Sequence, residues 1–247
     1  MVRPTGRTCG RQSVRLTVAA DATAAAELAA AEMTRACAAA VAARGRAIVA
    51  VSGGTTPWLM LRRFAQSNLC WASIHVAQVD ERCVALDDPR RNLAQLLQIL
   101  VRDGPLPASN LLPMPADEAD LARAAERYSA MLAEVAGPAT ILDIVQLGLG
   151  SDGHTASLVP DDPVLDVADR SVAITAPYQG TRRMTLTYPV LSGARERLWL
   201  VTGAAKAAAL ADMLNGRGNA PASRVAREHS VVIADSAAHA PVNAAAG

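Results

Sequence analysis

One aspartate and one histidine, separated by a single glycine, stand in the run Gly148-Leu149-Gly150-Ser151-Asp152-Gly153-His154-Thr155-Ala156-Ser157, directly after apolar residues that end at Leu147. An imidazole titrates near neutrality, so His154 can take a proton from water and return it later in the same reaction. Asp152, two residues away, can orient the ring and stabilise the imidazolium as it forms. The surrounding glycines permit a tight turn whose N–H groups can serve a developing oxyanion. The competing reading of the segment is an Asx-type turn with an exposed histidine. The other histidines, His75, His229 and His239, fall in an apolar run, a polar connector and the C-terminal tail, and are assigned structural or solvent-facing places.

Two further junctions carry polar residues at the ends of apolar runs. Ser52-Gly53-Gly54-Thr55-Thr56-Pro57 follows Val51. Two glycines that turn the backbone inward, three hydroxyls and an immediate helix start make an anion cradle, with phosphate the natural occupant. The segment lacks the Gly-Lys-Ser/Thr ending of a nucleotide P-loop and the glycine spacing of a dinucleotide fingerprint, which disfavours a nucleotide. Asp80-Glu81-Arg82 follows Val79 and offers two carboxylates and a guanidinium that can orient hydroxyls, move a proton or clamp an oxyanion. Arg183, just before one apolar run, and Lys206, just after another, can each reach a phosphate over the same edge. Asp87, Asp88, Arg90 and Arg91 are assigned to an exposed charged loop.

Those junctions need a scaffold that brings strand ends together. Asp21 caps a predicted helix to Arg44 that Gly45 terminates, and Ala47–Val51 reads as a short buried strand. Pro57 opens the next helix, residues 74–79 form a second strand, and 92–101 are helical. A Pro-rich connector at 104–115 leads to a helix over 117–135 and a strand over 141–147. Strands at 171–175, 184–188, 198–201 and 231–234 and a helix over 204–214 continue the alternation. Short apolar strands alternating with helices specify an α/β fold, a mainly parallel sheet covered on both faces, in which ligands bind beyond the carboxyl ends of the strands. Residues 14–235 are read as one domain with an insertion at 160–177, flanked by tails at 1–13 and 236–247.

The composition narrows the partners. Against 24 Lys and Arg stand 23 Asp and Glu, a formal charge of +1, which argues against nucleic acid or an anionic membrane as the main partner. No apolar run reaches the roughly 18 residues of a membrane span. Arg3, Arg7, Arg11 and Arg15 precede no apolar signal core, so the reading is a basic tail on a cytoplasmic protein. Cys9, Cys37, Cys70 and Cys83 show no metal or redox spacing, and Cys37 is expected in the core. About a fifth of the residues are alanine and only 3 % are aromatic, so the elements must pack closely through small side chains.

Together these segments resemble the 6-phosphogluconolactonase family, within the larger group of phosphosugar isomerase, deaminase and CoA-transferase-like folds. The resemblance covers most of the chain. It rests on the loop at 52–57, on Asp80-Glu81-Arg82, on Asp152-Gly153-His154-Thr155-Ala156-Ser157-Leu158 with Pro160, on Arg183-Met184-Thr185-Leu186, and on Gly203 with Lys206. It implies a Rossmann-like three-layer architecture and hydrolysis of 6-phospho-D-glucono-1,5-lactone to 6-phosphogluconate in the oxidative pentose phosphate pathway. It implies no metal or organic cofactor, and a small phosphosugar lactone as the partner. His154 is then the base that activates water and Asp152 its support. Ser52, Gly53, Gly54, Thr55 and Thr56, with Arg183 and Lys206, bind the 6-phosphate. Arg82 is assigned to the phosphate or to the lactone end, and Asp80 to catalysis or to shaping the site.

Four positions depart from the family pattern. Thr55 replaces a frequent Ser, Arg91-Asn92 the usual Ser-Asn, and Val159 a frequent Phe; Ser151, before Asp152, carries no assigned chemistry. The rival enzyme is glucosamine-6-phosphate deaminase, whose Asp-Gly-His-Ile-Ala-Phe-Asn-Glu-Pro pattern places a carboxylate where this chain has Val159, and whose Asp-Glu-Tyr is Asp80-Glu81-Arg82 here. A third reading, a phosphosugar sensor that controls transcription, needs a DNA-reading unit for which no segment ahead of Val14 has room.

Overall fold

The computed structural model describes residues 14–216 and 219–240. Cys9 and the arginines at 3, 7 and 11 lie outside the described residues. The chain runs β1 (Arg15–Ala19), α1 (Ala22–Arg44), β2 (Ala47–Val51), α2 (Thr55–Phe64), β3 (Ile74–Gln78), β4 (Asp80–Arg82) and α3 (Asn92–Leu96), which continues as a π turn over Leu97–Arg102. There follow β5 (Leu111–Leu112), α4 (Leu121–Ala136), β6 (Ile144–Leu147), β7 (Val172–Ile174), β8 (Arg183–Leu186), α5 (Tyr188–Gly193), β9 (Glu196–Val201), α6 (Ala207–Asn215) and β10 (Ser230–Asp235).

Seven strands form one parallel sheet in the order β1-β10-β9-β6-β2-β3-β5. Its central strands are buried on both faces, as the continuous apolar run of β2 requires. One core holds α1, α2 and α3 through Ala29, Met33, Cys37, Leu61, Phe64 and Leu96. The other holds α4, α5 and α6 through Tyr128, Leu132, Leu191 and Leu210. The α/β class with a mainly parallel sheet between two helical layers is therefore the one the chain adopts. α1 buries an alanine stripe, so it lies close to the sheet without large side chains. Asp21 accepts the Ala24 N–H at 2.9 Å, and Gly45 leaves the helix at φ 75° in the left-handed region, where glycine carries no steric penalty.

A second, three-stranded sheet, β4-β8-β7, is antiparallel. This corrects the reading of 171–175 and 184–188 as members of the parallel alternation. The chain leaves the large sheet at Val79, whose N–H still donates to Val51 O at 3.0 Å, while its carbonyl accepts Leu186 N–H at 2.9 Å. That one residue joins the two sheets. Pro189, in the first turn of α5, ends the strand at Leu186 and places Tyr188 in a helix. The large-sheet strand read as 141–147 begins only at Ile144, because the Asp143 carboxylate accepts Ile48 N–H at 2.8 Å and pairs with Arg44. α4 starts at Leu121 under an Asp120 cap, not at Asp117, and the connector contains β5. Residues 236–239, read as the start of a tail, form a turn in which the Ala238 N–H donates to Asp235 Oδ1 at 2.7 Å and Ala238 is buried.

Candidate active site

A cavity of about 430 Å³ opens beyond the carboxyl ends of β2, β6 and β9, with the small sheet forming one side. Its wall includes the loop Ser52, Gly53, Gly54, Thr55 and Thr56, the imidazole of His154, and the charged residues Asp80, Arg82, Arg183 and Lys206. Three cations face one carboxylate there, so the cavity is charged for an anionic ligand. Of the residues predicted for the site, Asp152 alone is off the wall, and it is bonded to one that is on it.

The loop after β2 is held from behind. Ser52 N–H donates to Gln146 Oε1 at 3.0 Å and Ser52 Oγ donates to Gln146 O at 3.1 Å, so that hydroxyl proton is directed away from the cavity. Gly54 has φ 137°, which favours glycine, and a Cβ at Gly53 would fall 2.0 Å from Asn92 Oδ1. Thr56 Oγ1 and Thr202 Oγ1 share a 2.7 Å hydrogen bond across two strand ends. The N-terminus of α2 completes the cradle with backbone N–H groups. Across from it, Lys206 ends a short turn entered through Gly203, whose N–H donates to both oxygens of Asp235 at 3.0 Å.

β4 separates its three charges by alternation. The Asp80 carboxylate faces the cavity and accepts Ser157 Oγ–H at 2.5 Å. Glu81 points the other way and is fully buried, where it accepts the N–H groups of Arg82, Asn92 and Leu93 at 2.8–2.9 Å, takes Gln78 Nε2 at 2.8 Å, and lies 3.5 Å from Arg91 Nε. Arg91 is therefore a buried counter-ion, not the exposed loop charge expected from its neighbours: only 2 % of it is accessible, and its other donors meet Val84 O, Met114 O and the Asp117 carboxylate at 3.3 Å. Arg82 Nη1 donates to Asn92 Oδ1, and Asn92 Nδ2 to Asp80 O, so Asn92 belongs to the site.

The turn after β6 presents the histidine. His154 Nδ1 and Asp152 Oδ1 are 2.6 Å apart, and His154 N–H also donates to that oxygen at 3.2 Å. Partial burial opposes ionisation of Asp152, but the backbone N–H, charge and ring donor of His154 outweigh it and hold the carboxyl below its ordinary range. Gly150 N–H donates to His154 O and Gly153 N–H to Gly150 O, so these two donors of the turn are already engaged. Arg183 lies at the start of β8 with its Cζ 5.0 Å from the centre of the Tyr178 ring, and burial lowers its pKa. Its Nε is buried without a partner.

Sequence reasoning left out Tyr178, Gln179 and Ser157. The available signal was a polar-Gly pair, Gln179-Gly180, between two strand runs, the mark of a hairpin tip. His75 is half-buried, and His229 and His239 are exposed, all away from the cavity wall. Among the described residues no three His, Cys, Asp or Glu side chains converge as a metal site needs.

The glucosamine-6-phosphate isomerase/6-phosphogluconolactonase family model matches residues 20–234. A 6-phosphogluconolactonase from Synechocystis sp. is 38 % identical over 178 residues, which cover 70 % of this chain and 74 % of the relative. Another from Mycobacterium tuberculosis is 37 % identical over 189 residues, covering 72 % and 76 %. The solved 6-phosphogluconolactonase of Trypanosoma cruzi superposes with a TM-score of 0.83 at 24 % identity, over 94 % of this chain and 98 % of that one, a likeness of fold. Matched along nearly its whole described length, the chain belongs to the glucosamine-6-phosphate isomerase/6-phosphogluconolactonase family.

Proposed function

We propose that the chain hydrolyses 6-phospho-D-glucono-1,5-lactone to 6-phosphogluconate by general-base activation of water, in the oxidative pentose phosphate pathway. The observation that carries this reading is the 2.6 Å contact from Asp152 to His154, whose imidazole shares the cavity wall with the glycine loop and three cations. With Nδ1–H donating to the ionised Asp152, Nε2 accepts a proton from water. The water oxygen attacks the lactone carbonyl, and the electron pair of the carbonyl moves onto its oxygen. Collapse of that intermediate breaks the bond to the ring oxygen, which takes the proton back from the imidazolium. A lactone is an activated ester, so no side-chain nucleophile is needed.

The loop from Ser52 to Thr56, with Arg183 and Lys206, takes the phosphate, and that remote binding energy holds the carbonyl beside His154. The 2.5 Å bond from Ser157 favours a shaping role for Asp80. Deaminase chemistry is disfavoured because Val159, buried and apolar, occupies the position where that enzyme's pattern carries a carboxylate. Among the described residues no helix is long and apolar enough to cross a membrane, and we assign the reaction to the cytoplasm.

The test is acid release from freshly generated lactone above its spontaneous rate, with wild type and His154→Ala compared. Acceleration that falls about 10²- to 10⁴-fold in the variant is expected. A wild type that leaves the lactone untouched but releases ammonia from glucosamine 6-phosphate would reverse the ranking, and tight 6-phosphogluconate binding without turnover would point to a sensor.

A further inference from the structure

We propose that Tyr178 is a positioning residue for the Asp152–His154 pair: its phenol fixes the Asp152 carboxylate in the orientation that faces the imidazole, and its ring ties that pair to Arg183. The proposal rests on the lactonase reading above.

The Asp152 side chain is 38 % exposed. A carboxylate with one oxygen on an imidazole and the other in water is free to turn about its side-chain torsions. Here the Tyr178 O–H donates to Oδ2 at 3.2 Å while Oδ1 takes the imidazole at 2.6 Å, so both oxygens are committed and the carboxylate plane is set. The same ring meets His154 edge-on, with centroids 5.9 Å apart at 66°, and lies under the Arg183 guanidinium. Its neighbour Gln179 closes the bracket: Nε2 donates to Tyr178 Oη at 3.4 Å, and Oε1 accepts from Arg183 Nη2 at 3.2 Å. Tyr178 is absent from the cavity wall, so it acts through these neighbours.

The backbone that delivers this ring is built for one position. Tyr178 and Thr181 exchange N–H···O bonds of 2.9 and 3.3 Å around a two-residue tip, with Gln179 at φ 50° and Gly180 at φ 80°. Positive φ at both central residues is the type I′ hairpin, whose twist matches paired strands. Gln179 holds a left-handed conformation that non-glycine residues seldom adopt, and both ends of its side-chain amide are used there. Burial first, then the charge and hydrogen bond of Asp152, raise the Tyr178 pKa, which keeps the phenol a donor.

With Oδ2 released, the carboxylate is free to turn about its side-chain torsions, and the 2.6 Å Nδ1–Oδ1 contact that orients the imidazole loosens. The other charged groups that share the cavity with His154 are Asp80, Arg82, Arg183 and Lys206, all unchanged by the substitution. The test is Tyr178→Phe, which keeps the ring and its stacking and removes only the O–H. Expected are a kcat about five- to tenfold lower and a KM within about twofold of wild type. Tyr178→Ala, which also frees Arg183, adds a rise in KM. The NMR signal of the proton between His154 Nδ1 and Asp152 moves upfield and broadens in Tyr178→Phe as that contact loosens, a readout that needs no substrate. A Tyr178→Phe protein with wild-type kcat and an unchanged Nδ1 proton signal overturns the proposal and leaves the reaction standing. A wild type without lactonase activity overturns the reaction, and the NMR comparison then decides for or against the Tyr178–Asp152 link.

Discussion

Gly150 carries no chemistry, yet the geometry makes it a sharp test of the Asp152–His154 pair. A Cβ built on it would lie 2.1 Å from His154 Nδ1 and 2.4 Å from Asp152 Oδ1. Carbon needs about 3.5 Å from such atoms, so Gly150→Ala must push the imidazole back by more than about 1 Å. Both obstructed atoms are at the ends of side chains, and Gly150 is not among the positive-φ glycines, so the backbone has no reason to break. The 2.6 Å contact between the two rotors is what gives way. Misplacement on that scale costs about 10²-fold in rate. Stability changes little: the alanine stiffens the unfolded chain by about 0.4–1 kcal/mol, offset by the lost side-chain hydrogen bond. At about 2–4 °C per kcal/mol in a chain of this size, Tm should stay within about 4 °C of wild type. Steady-state hydrolysis of the lactone and a thermal melt measure the two quantities, and the double variant Gly150→Ala/His154→Ala should be no slower than His154→Ala alone. A Gly150→Ala enzyme within threefold of wild-type kcat, where about 10²-fold is expected, would show that the reaction does not run through this pair.

Two further substitutions separate binding from folding. Lys206→Ala should raise KM for the phosphorylated lactone about tenfold or more, the worth of a charge-assisted hydrogen bond, while hydrolysis of unphosphorylated gluconolactone stays within about twofold; equal loss on both substrates would move the phosphate elsewhere. Glu81→Ala removes the acceptor of three backbone N–H groups and the partner of buried Arg91. Arg91 then keeps only the partly exposed Asp117 carboxylate, 3.3 Å from its Nη1, and breaking the buried pair costs about 3–5 kcal/mol, or a Tm roughly 10 °C lower, read by thermal or urea unfolding; a shift under about 3 °C would mean that Asp117 and water compensate Arg91 instead.

What was legible in the chain follows from where its chemistry stands. Ser52, Asp80, the Asp152–His154 turn and Lys206 each come within a few residues of the end of an apolar run. A parallel sheet gathers such ends at one edge. Of the small sheet, the runs at 171–175 and 184–188 were legible as strands, but β4 and the pairing that joins the three were not. β4 is Asp-Glu-Arg, with no apolar alternation to mark it as a strand, and its pairing partner β8 lies far along the chain. Arg91 looks from its neighbours like a loop charge, and only the burial of Glu81 makes it a counter-ion. Tyr178 was hidden because its place depends on a left-handed Gln179, where the usual hairpin signal is Asn or Asp before Gly.

The pairing of the small sheet is also what assembles the site. The parallel sheet contributes the phosphate cradle after β2, the histidine turn after β6 and Lys206 after β9, while the antiparallel sheet contributes Asp80, Arg82, Arg183 and the Tyr178 hairpin. Their relative placement rests on a few bonds at the seam: Leu186 N–H to Val79 O at 2.9 Å, Ser157 Oγ to Asp80 at 2.5 Å, and Ser157 N–H to Thr185 Oγ1 at 3.2 Å. Ser157 stands three residues after His154 and grips both β4 and β8. The turn that presents the base is thus fastened directly to the strands that present the cations. A ligand that engages the Arg183 side of the cavity and the imidazole at once therefore bridges two sheets through one short segment. Position along that segment, more than the depth of either core, sets the distance between phosphate and carbonyl that the reaction requires.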